Sequence, residues 1–276
     1  MARSSSWTPS REPTVADHAC WSYSSDAERA AIAVQWLADG MRIGQRGLYV
    51  GEAPVDVLID ELAALPDVAA ALASGALVVQ SSTDLYDLSK PVDSPHQLAI
   101  YDAGVRAAVA AGYRGVRVAA DVTPLVLDPS RHESHVRWEQ YADRYITEHP
   151  MAPMCMYDSR RVAGIDAIAC VHPLQGPAAP VFGLYAVGPH AAALSGEVDA
   201  LQGAAFGEAL AGLPNTDTAL HLDRLAFIDG DAAWQLHEVV RRRHLAGNPL
   251  SLIGAPPALR RTWRALEFEA DLLVSS

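Results

Sequence analysis

Gly47-Leu48-Tyr49-Val50-Gly51-Glu52-Ala53-Pro54-Val55-Asp56-Val57 is the stretch on which the fold of this chain turns. Its first five residues read as a short buried strand, and the periodic apolar residues from Val55 to Leu65 read as a helix. The same alternation extends both ways. Ser25 is placed to cap a helix reaching about Gly40, with Ala30, Ile32, Ala33, Trp36 and Leu37 supplying its apolar spacing. Downstream, Ala76–Gln80 predicts a strand, Pro95–Ala111 a helix, Gly115–Ala120 a strand, Ser130–Thr147 a helix and Ala152–Tyr157 a strand. Strands alternating with helices predict an α/β fold, with an open and mostly parallel sheet covered on both faces. The turn after Val50 is where a phosphate-binding loop would require a second glycine, a lysine and a hydroxyl residue. Here Glu52 and Asp56 would instead repel phosphates. Lys90, the one lysine in the chain, has no glycine-rich frame around it, which also disfavours Schiff-base chemistry.

Composition narrows the function classes. The 276 residues exceed an ordinary domain and favour two; half are apolar and a fifth charged, enough for a substantial core. A formal charge of −12 argues against direct nucleic-acid binding, which rests on many basic groups neutralising phosphates. Arg241-Arg242-Arg243 reads as a solvated helix end favoured by the helix dipole. The opening Met1–Pro13 lacks the apolar core of a secretory signal, and no run of about 18 apolar residues suggests a membrane span. With three cysteines, an odd number, a reduced and cytoplasmic protein is expected. Residues 1–16 read as a mobile tail.

Two strings then stand out, Asp17-His18-Ala19-Cys20-Trp21-Ser22-Tyr23 and Cys155-Met156-Tyr157-Asp158. Period two on a strand turns Cys155 and Tyr157 to one face. If the sheet joins the two strings, an imidazole, two thiols and two phenols converge. Such a group suits a small-molecule pocket, with tyrosine walls and His18 as donor or acceptor. It equally suits a metal or heme site on His18, Cys20 and Cys155, or plain packing of buried thiols with His18 capping a helix. An enzyme with Cys20 or Cys155 as nucleophile and His18 as base is a further reading, requiring a thiol of lowered pKa. Cys170 lacks polar company and reads as packing, as does the Trp138, Tyr141, Tyr145 stripe. His132, His135 and Glu139 would align on the same helix, but without an H-E-x-x-H string they are set aside as metal ligands.

The His-x-Cys-x-x-Tyr opening, the Gly47–Gly51 strand and Cys-x-Tyr-Asp followed by Arg160 and Arg161 resemble the MEDS domain, a sensory module, over roughly Asp17 to Val171. The resemblance implies a RecA-like fold related to circadian-clock ATPases that senses small organic molecules without necessarily doing chemistry on them; the Gly51–Val57 turn implies that any ancestral ATPase activity is gone. The ligand-binding residues expected are His18, Cys20, Tyr23, Cys155, Tyr157, Asp158 and Arg160. No cofactor and no catalysis are expected. Relatives often carry an acidic residue directly after the position of Tyr141; here Ala142 stands there and Asp143 follows.

The proline-rich residues 172–180 read as a linker between a domain at 17–171 and another at 181–276. The second half resembles the STAS domain of anti-sigma factor antagonists. Leu194-Ser195-Gly196-Glu197-Val198-Asp199 and Leu225-Ala226-Phe227-Ile228-Asp229-Gly230-Asp231 carry that resemblance. It implies a protein partner, an anti-sigma factor or sensor kinase, acting around Asp229, Gly230 and Asp231. In that pattern Asp231 occupies the place of the phosphorylated serine or threonine. A carboxylate there cannot be phosphorylated by a serine kinase, yet it sets negative charge at a helix N-terminus.

Overall fold

The computed structural model describes residues 5–6, 14–176 and 179–273. In chain order they form β1 (Ser5–Ser6), β2 (Ala19–Tyr23), α1 (Asp26–Arg42), β3 (Arg46–Gly51), α2 (Val55–Glu61), α3 (Val68–Ser74), β4 (Leu77–Ser81), α4 (Ser82–Leu85) and α5 (Ser94–Ala110). There follow β5 (Val116–Asp121), α6 (Thr123–Val126), α7 (His132–Ile146), β6 (Met151–Asp158), α8 (Asp166–Ala169) and β7 (Leu174–Gln175). The remainder is β8 (Phe182–Gly188), β9 (Ala191–Val198), α9 (Gly203–Gly212), β10 (Thr218–Ile228), α10 (Gly230–Leu245), β11 (Leu250–Ile253) and α11 (Pro257–Ala265).

Short polar residues start the long helices as their chemistry dictates. Ser25 accepts from the Glu28 amide at 3.2 Å, Asp93 from His96 at 3.2 Å and Asp229 from Ala232 at 2.8 Å, each satisfying an amide the helix itself cannot. The expected helix Val55–Leu65 ends at Glu61, and a second short helix, α3, follows from a left-handed Asp67.

The first sheet has seven parallel strands in the order β1-β7-β2-β6-β5-β3-β4. Helices cover both faces. Ala19, Trp21, Tyr23, Met154 and Met156 point to the side packed by Trp36 and Leu37 of α1, Leu58 of α2 and Ala71 of α3. Cys20, Ala120, Cys155 and Tyr157 point to the other side, towards Tyr101 and Val105 of α5 and Val136, Trp138 and Ala142 of α7. Period two along β2 and β6 produces this division.

The second sheet has four strands in the order β11-β10-β9-β8; β8 and β9 are antiparallel and the rest parallel. It does not stand apart. Phe182 and Leu184 of β8 and Phe206 and Leu210 of α9 join the same continuous core as α5, α7 and β6. The stretch 172–180, expected as a linker, is correspondingly structural. His172 is buried and β7 pairs with both β1 and β2, while residues 177–178 lie outside the described residues. Proline-rich composition signals only that a long helix or strand cannot run through; a two-residue strand that starts after Pro173 is compatible with it.

The expected tail is also partly ordered. Ser5–Ser6 pairs with Leu174–Gln175, and the Thr14 carbonyl accepts from the buried Arg117 at 2.7 Å; residues 1–4 and 7–13 lie outside the described residues. Arg243, expected on a solvated helix end, is buried and donates to the carbonyls of Asn248 and Thr216, which closes the end of α10. No helix among the described residues is long and apolar enough to cross a membrane.

Candidate functional site

Helix α7 carries His135, Glu139 and Asp143 at successive i, i+4 positions, so one face of the helix presents all three to the sheet. Opposite them lie Cys155 and Tyr157 of β6 and His18, immediately before β2. His172 completes the group from the segment between α8 and β7. The Leu174 amide donates to the His18 carbonyl at 3.0 Å and ties those two segments together. All of these side chains are buried.

Glu139 is the hub. Its Oε1 accepts from the Tyr157 hydroxyl at 3.1 Å and lies 3.0 Å from His135 Nε2. Its Oε2 faces His18 Nε2 at 3.3 Å, His172 Nε2 at 3.5 Å and Cys155 Sγ at 3.5 Å. Cys155 Sγ is 3.8 Å from His18 Nε2, and the His18 and His172 rings lie 4.1 Å apart. The His18 and His172 imidazoles are anchored from behind. His18 Nδ1 lies 3.1 Å from Asp143 Oδ1, and His172 Nδ1 donates to the Ile168 carbonyl at 2.9 Å.

The electrostatics follow from burial against these partners. Burial alone would raise the Glu139 pKa, but the hydrogen bonds of His135 and His18 outweigh it and hold the carboxyl well below the carboxylate range. Burial would likewise lower His18, yet its bonds to Asp143 and Glu139 raise it. His172 lacks the second carboxylate, so burial and the neighbouring His18 keep it below the usual imidazole value. Burial, reinforced by the Glu139 charge, pushes the Cys20 and Cys155 thiols far up.

The expected site residues therefore divide. His18, Cys155 and Tyr157 meet around Glu139, and Cys20 sits beside Cys155 in strand register with its thiol on the same face. Tyr23 does not join them. Odd positions of β2 face the opposite side, where the Tyr23 hydroxyl donates to Asp121 at 2.9 Å within a network of Arg29, Glu61 and Tyr49. Asp158 and Arg160 pair with each other at the carboxyl end of β6, through bonds of 2.8 and 2.7 Å that hold Asp158 below the usual carboxylate range. Glu52 ends the β3 turn and is bound by Arg161 at 2.6 Å.

A sequence profile of the family described as MEthanogen/methylotroph, DcmR Sensory domain (MEDS) matches residues 17–173. The chain belongs to the MEDS family. No curated protein matches it. The match ends just past His172, so every side chain of the Glu139 hub lies inside the MEDS domain, and a sensing role follows for the protein. Sequence reading missed part of this group: it set aside His135 and Glu139 as metal ligands and assigned His172 to a linker. The signal available was the spacing His135, Glu139, Asp143, one helix face carrying only titratable side chains on an otherwise core-facing helix. Nothing local in Val171-His172-Pro173 marks His172.

Thiols this buried, with pKa values pushed up, should be unreactive. Alkylation of the native protein with iodoacetamide at pH 8 is expected to leave Cys20, Cys155 and Cys170 unmodified over hours, with all three labelled rapidly in denaturant. Rapid native labelling of Cys20 or Cys155 alone would instead identify an activated thiol.

Proposed function

We propose that the chain is a signalling protein whose MEDS domain senses a small organic molecule beside the Glu139 hub and passes the signal to the C-terminal α/β unit. The observation that carries this reading is the double attachment of Asp143. One carboxylate oxygen lies 3.1 Å from His18 Nδ1, and the other accepts from the Ala186 amide in β8 at 2.6 Å. A buried carboxylate shared by the hub and the second sheet cannot change its bond to one without altering the other. A cavity of about 570 Å³ supports an entry route, because His172 and Gln175 form its wall together with Phe182, Gly183, Ser195 and Arg224 of the second sheet. A ligand in it would touch both units and so distinguish two arrangements of them, which is what signalling requires.

The C-terminal unit acts in this reading as a STAS-like output surface on an anti-sigma factor or sensor kinase. Asp229 caps α10 while Asp231 is exposed in its first turn, placing a fixed negative charge where the STAS resemblance puts a phosphoryl group. Transcriptional control through such a partner, in a reducing cytoplasm suited to free thiols, is the corresponding role. A sensor rather than a cysteine-nucleophile enzyme is favoured because both thiols near His18 are pushed away from the thiolate form.

Hydrogen exchange tests the reading. Saturating one- to three-carbon alcohols, amines and haloalkanes are added singly to the full chain and amide exchange is followed. At least one compound is expected to change exchange at Ala186 and in α10 by tenfold or more, with the response lost in Asp143→Asn. A compound that binds at the hub without any change in β8 or α10 would refute coupling between the two units.

A further inference from the structure

We propose that His18, Glu139, Cys155 and His172 form a binding site for one divalent transition-metal ion, with zinc the simplest occupant. The inference builds on the sensory reading of this cluster but stands on its donor geometry. Two imidazole Nε2 atoms, a carboxylate Oε2 and a thiol Sγ lie within 4.8 Å of one another, and all four residues are buried. Four of the separations are 3.3, 3.5, 3.5 and 3.8 Å. An ion holding four ligands tetrahedrally at about 2.0–2.3 Å sets its donors about 3.3–3.7 Å apart, so these four separations already match or nearly match a metal-sized tetrahedron, and small side-chain shifts would close the rest.

Orientation is the second argument. In protein metal sites the ring nitrogen remote from the ion is fixed by a carboxylate or a carbonyl, and ligating carboxylates are themselves hydrogen-bonded. Here Asp143 lies behind His18, the Ile168 carbonyl behind His172, and Tyr157 and His135 behind Glu139. Every outer partner leaves the inner donor atom facing the common centre.

His172 decides between an ion site and an ordinary polar network. A carbonyl can only accept, so the ring hydrogen resides on Nδ1 and Nε2 presents a lone pair. That nitrogen is fully buried and without a hydrogen-bond partner, and it faces a carboxylate oxygen 3.5 Å away. Lone pair against carboxylate is repulsive and costly in a water-free interior. A cation between them turns the repulsion into two coordinate bonds. On binding, the Cys155 thiol and His18 Nε2 each release a proton, His18 keeping the hydrogen on Nδ1 toward Asp143, and the thiolate and the Glu139 carboxylate neutralise a dication. Nitrogen and sulfur donors select zinc, cobalt or iron over magnesium and calcium. Cys20, the expected third ligand, is not among the converging donors.

Cobalt(II) titration of the chelator-stripped full chain is the test. One equivalent is expected to bind, giving intense tetrahedral visible bands and a near-ultraviolet sulfur-to-cobalt charge-transfer band, both abolished by stoichiometric Zn²⁺. Cys155→Ser should lose the charge-transfer band, His172→Ala should bind cobalt more than about 100-fold more weakly, and Asp143→Asn about 10–100-fold more weakly. Cys170→Ser should behave as the parent. Absence of stoichiometric cobalt binding in the unsubstituted protein, a pale octahedral spectrum, or a charge-transfer band that survives in Cys155→Ser overturns the proposal whatever the variants do. Exchange at Ala186 under the organic probes, read on the same preparation, decides the sensory reading separately.

Discussion

Replacing Glu139 with alanine is expected to lower the unfolding free energy by about 3–5 kcal/mol in chelator-treated protein, measured by urea denaturation. The side chain is the shared partner of the Tyr157 hydroxyl, the Cys155 thiol and the imidazoles of His135 and His18, all of them buried. Alanine removes the common acceptor; the contacts that remain, Tyr157 hydroxyl with His135 Nε2 at 3.0 Å and Cys155 Sγ with His18 Nε2 at 3.8 Å, satisfy only part of those buried groups, which costs more than the average worth of the bonds lost. Glutamine separates charge from shape. Its carbonyl oxygen can keep the bonds of Tyr157 and His135, and its amide group can donate to the lone pair of His172 Nε2 that Glu139 opposes. The same amino group opposes His18 Nε2 and the Cys155 thiol, which donate to the carboxylate, so metal-free Glu139→Gln is expected to cost about 1–3 kcal/mol, less than alanine. If Zn²⁺ stabilises the parent, it should not stabilise this variant, since the anionic ligand is gone. A glutamine variant as damaged as alanine would show that the carboxylate charge itself, rather than its hydrogen bonds, supports the fold.

Asp143→Ala should cost about 3–5 kcal/mol by the same measurement and accelerate amide exchange at Ala186 by at least tenfold. Two charge-assisted contacts, to His18 and to the Ala186 amide, converge on this one buried carboxylate. Bonds of that kind contribute about 1.5–3 kcal/mol each. Asp143→Asn is the more informative substitution. The single oxygen of the new side chain can serve the Ala186 amide or His18, and its amino group then opposes a donor on the other side. A double-mutant cycle of Asp143→Asn with His18→Ala should consequently show coupling above about 1 kcal/mol. Additive losses would mean that the hub and the second sheet do not communicate through Asp143.

Local chemistry made much of the first sheet readable. Ser25 caps α1 through the bond expected of a serine before an apolar helix, and the Gly47–Gly51 strand lies between β4 and β5 where a buried run belongs. Period two correctly brought Cys155 and Tyr157 to one face. The same rule, applied to β2, separates Cys20 from Tyr23; proximity to the matching string had drawn Tyr23 into the wrong group. His135, Glu139 and Asp143 were visible as a spacing but not as a site, because an i, i+4 row of titratable residues ordinarily marks a solvated helix face. Only burial sets this row apart, and burial depends on what packs against the helix.

Much of the strand and helix order, the lack of a phosphate-binding motif in the turn after β3 and membership of the MEDS family follow from residues and spacings along the chain, since each rests on short-range periodicity or a contiguous motif. The hub does not. His18 and Cys155 are 137 positions apart, and Glu139 and His172 reach the same point from a helix and from a segment that composition marks as a connection. Strand order, with β2 between β7 and β6, carries His18 and His172 to the face where α7 lies. The second sheet then closes over α7, and the Ala186 amide finds Asp143. Such meetings are set by which apolar faces must bury one another, a long-range balance no local pattern encodes.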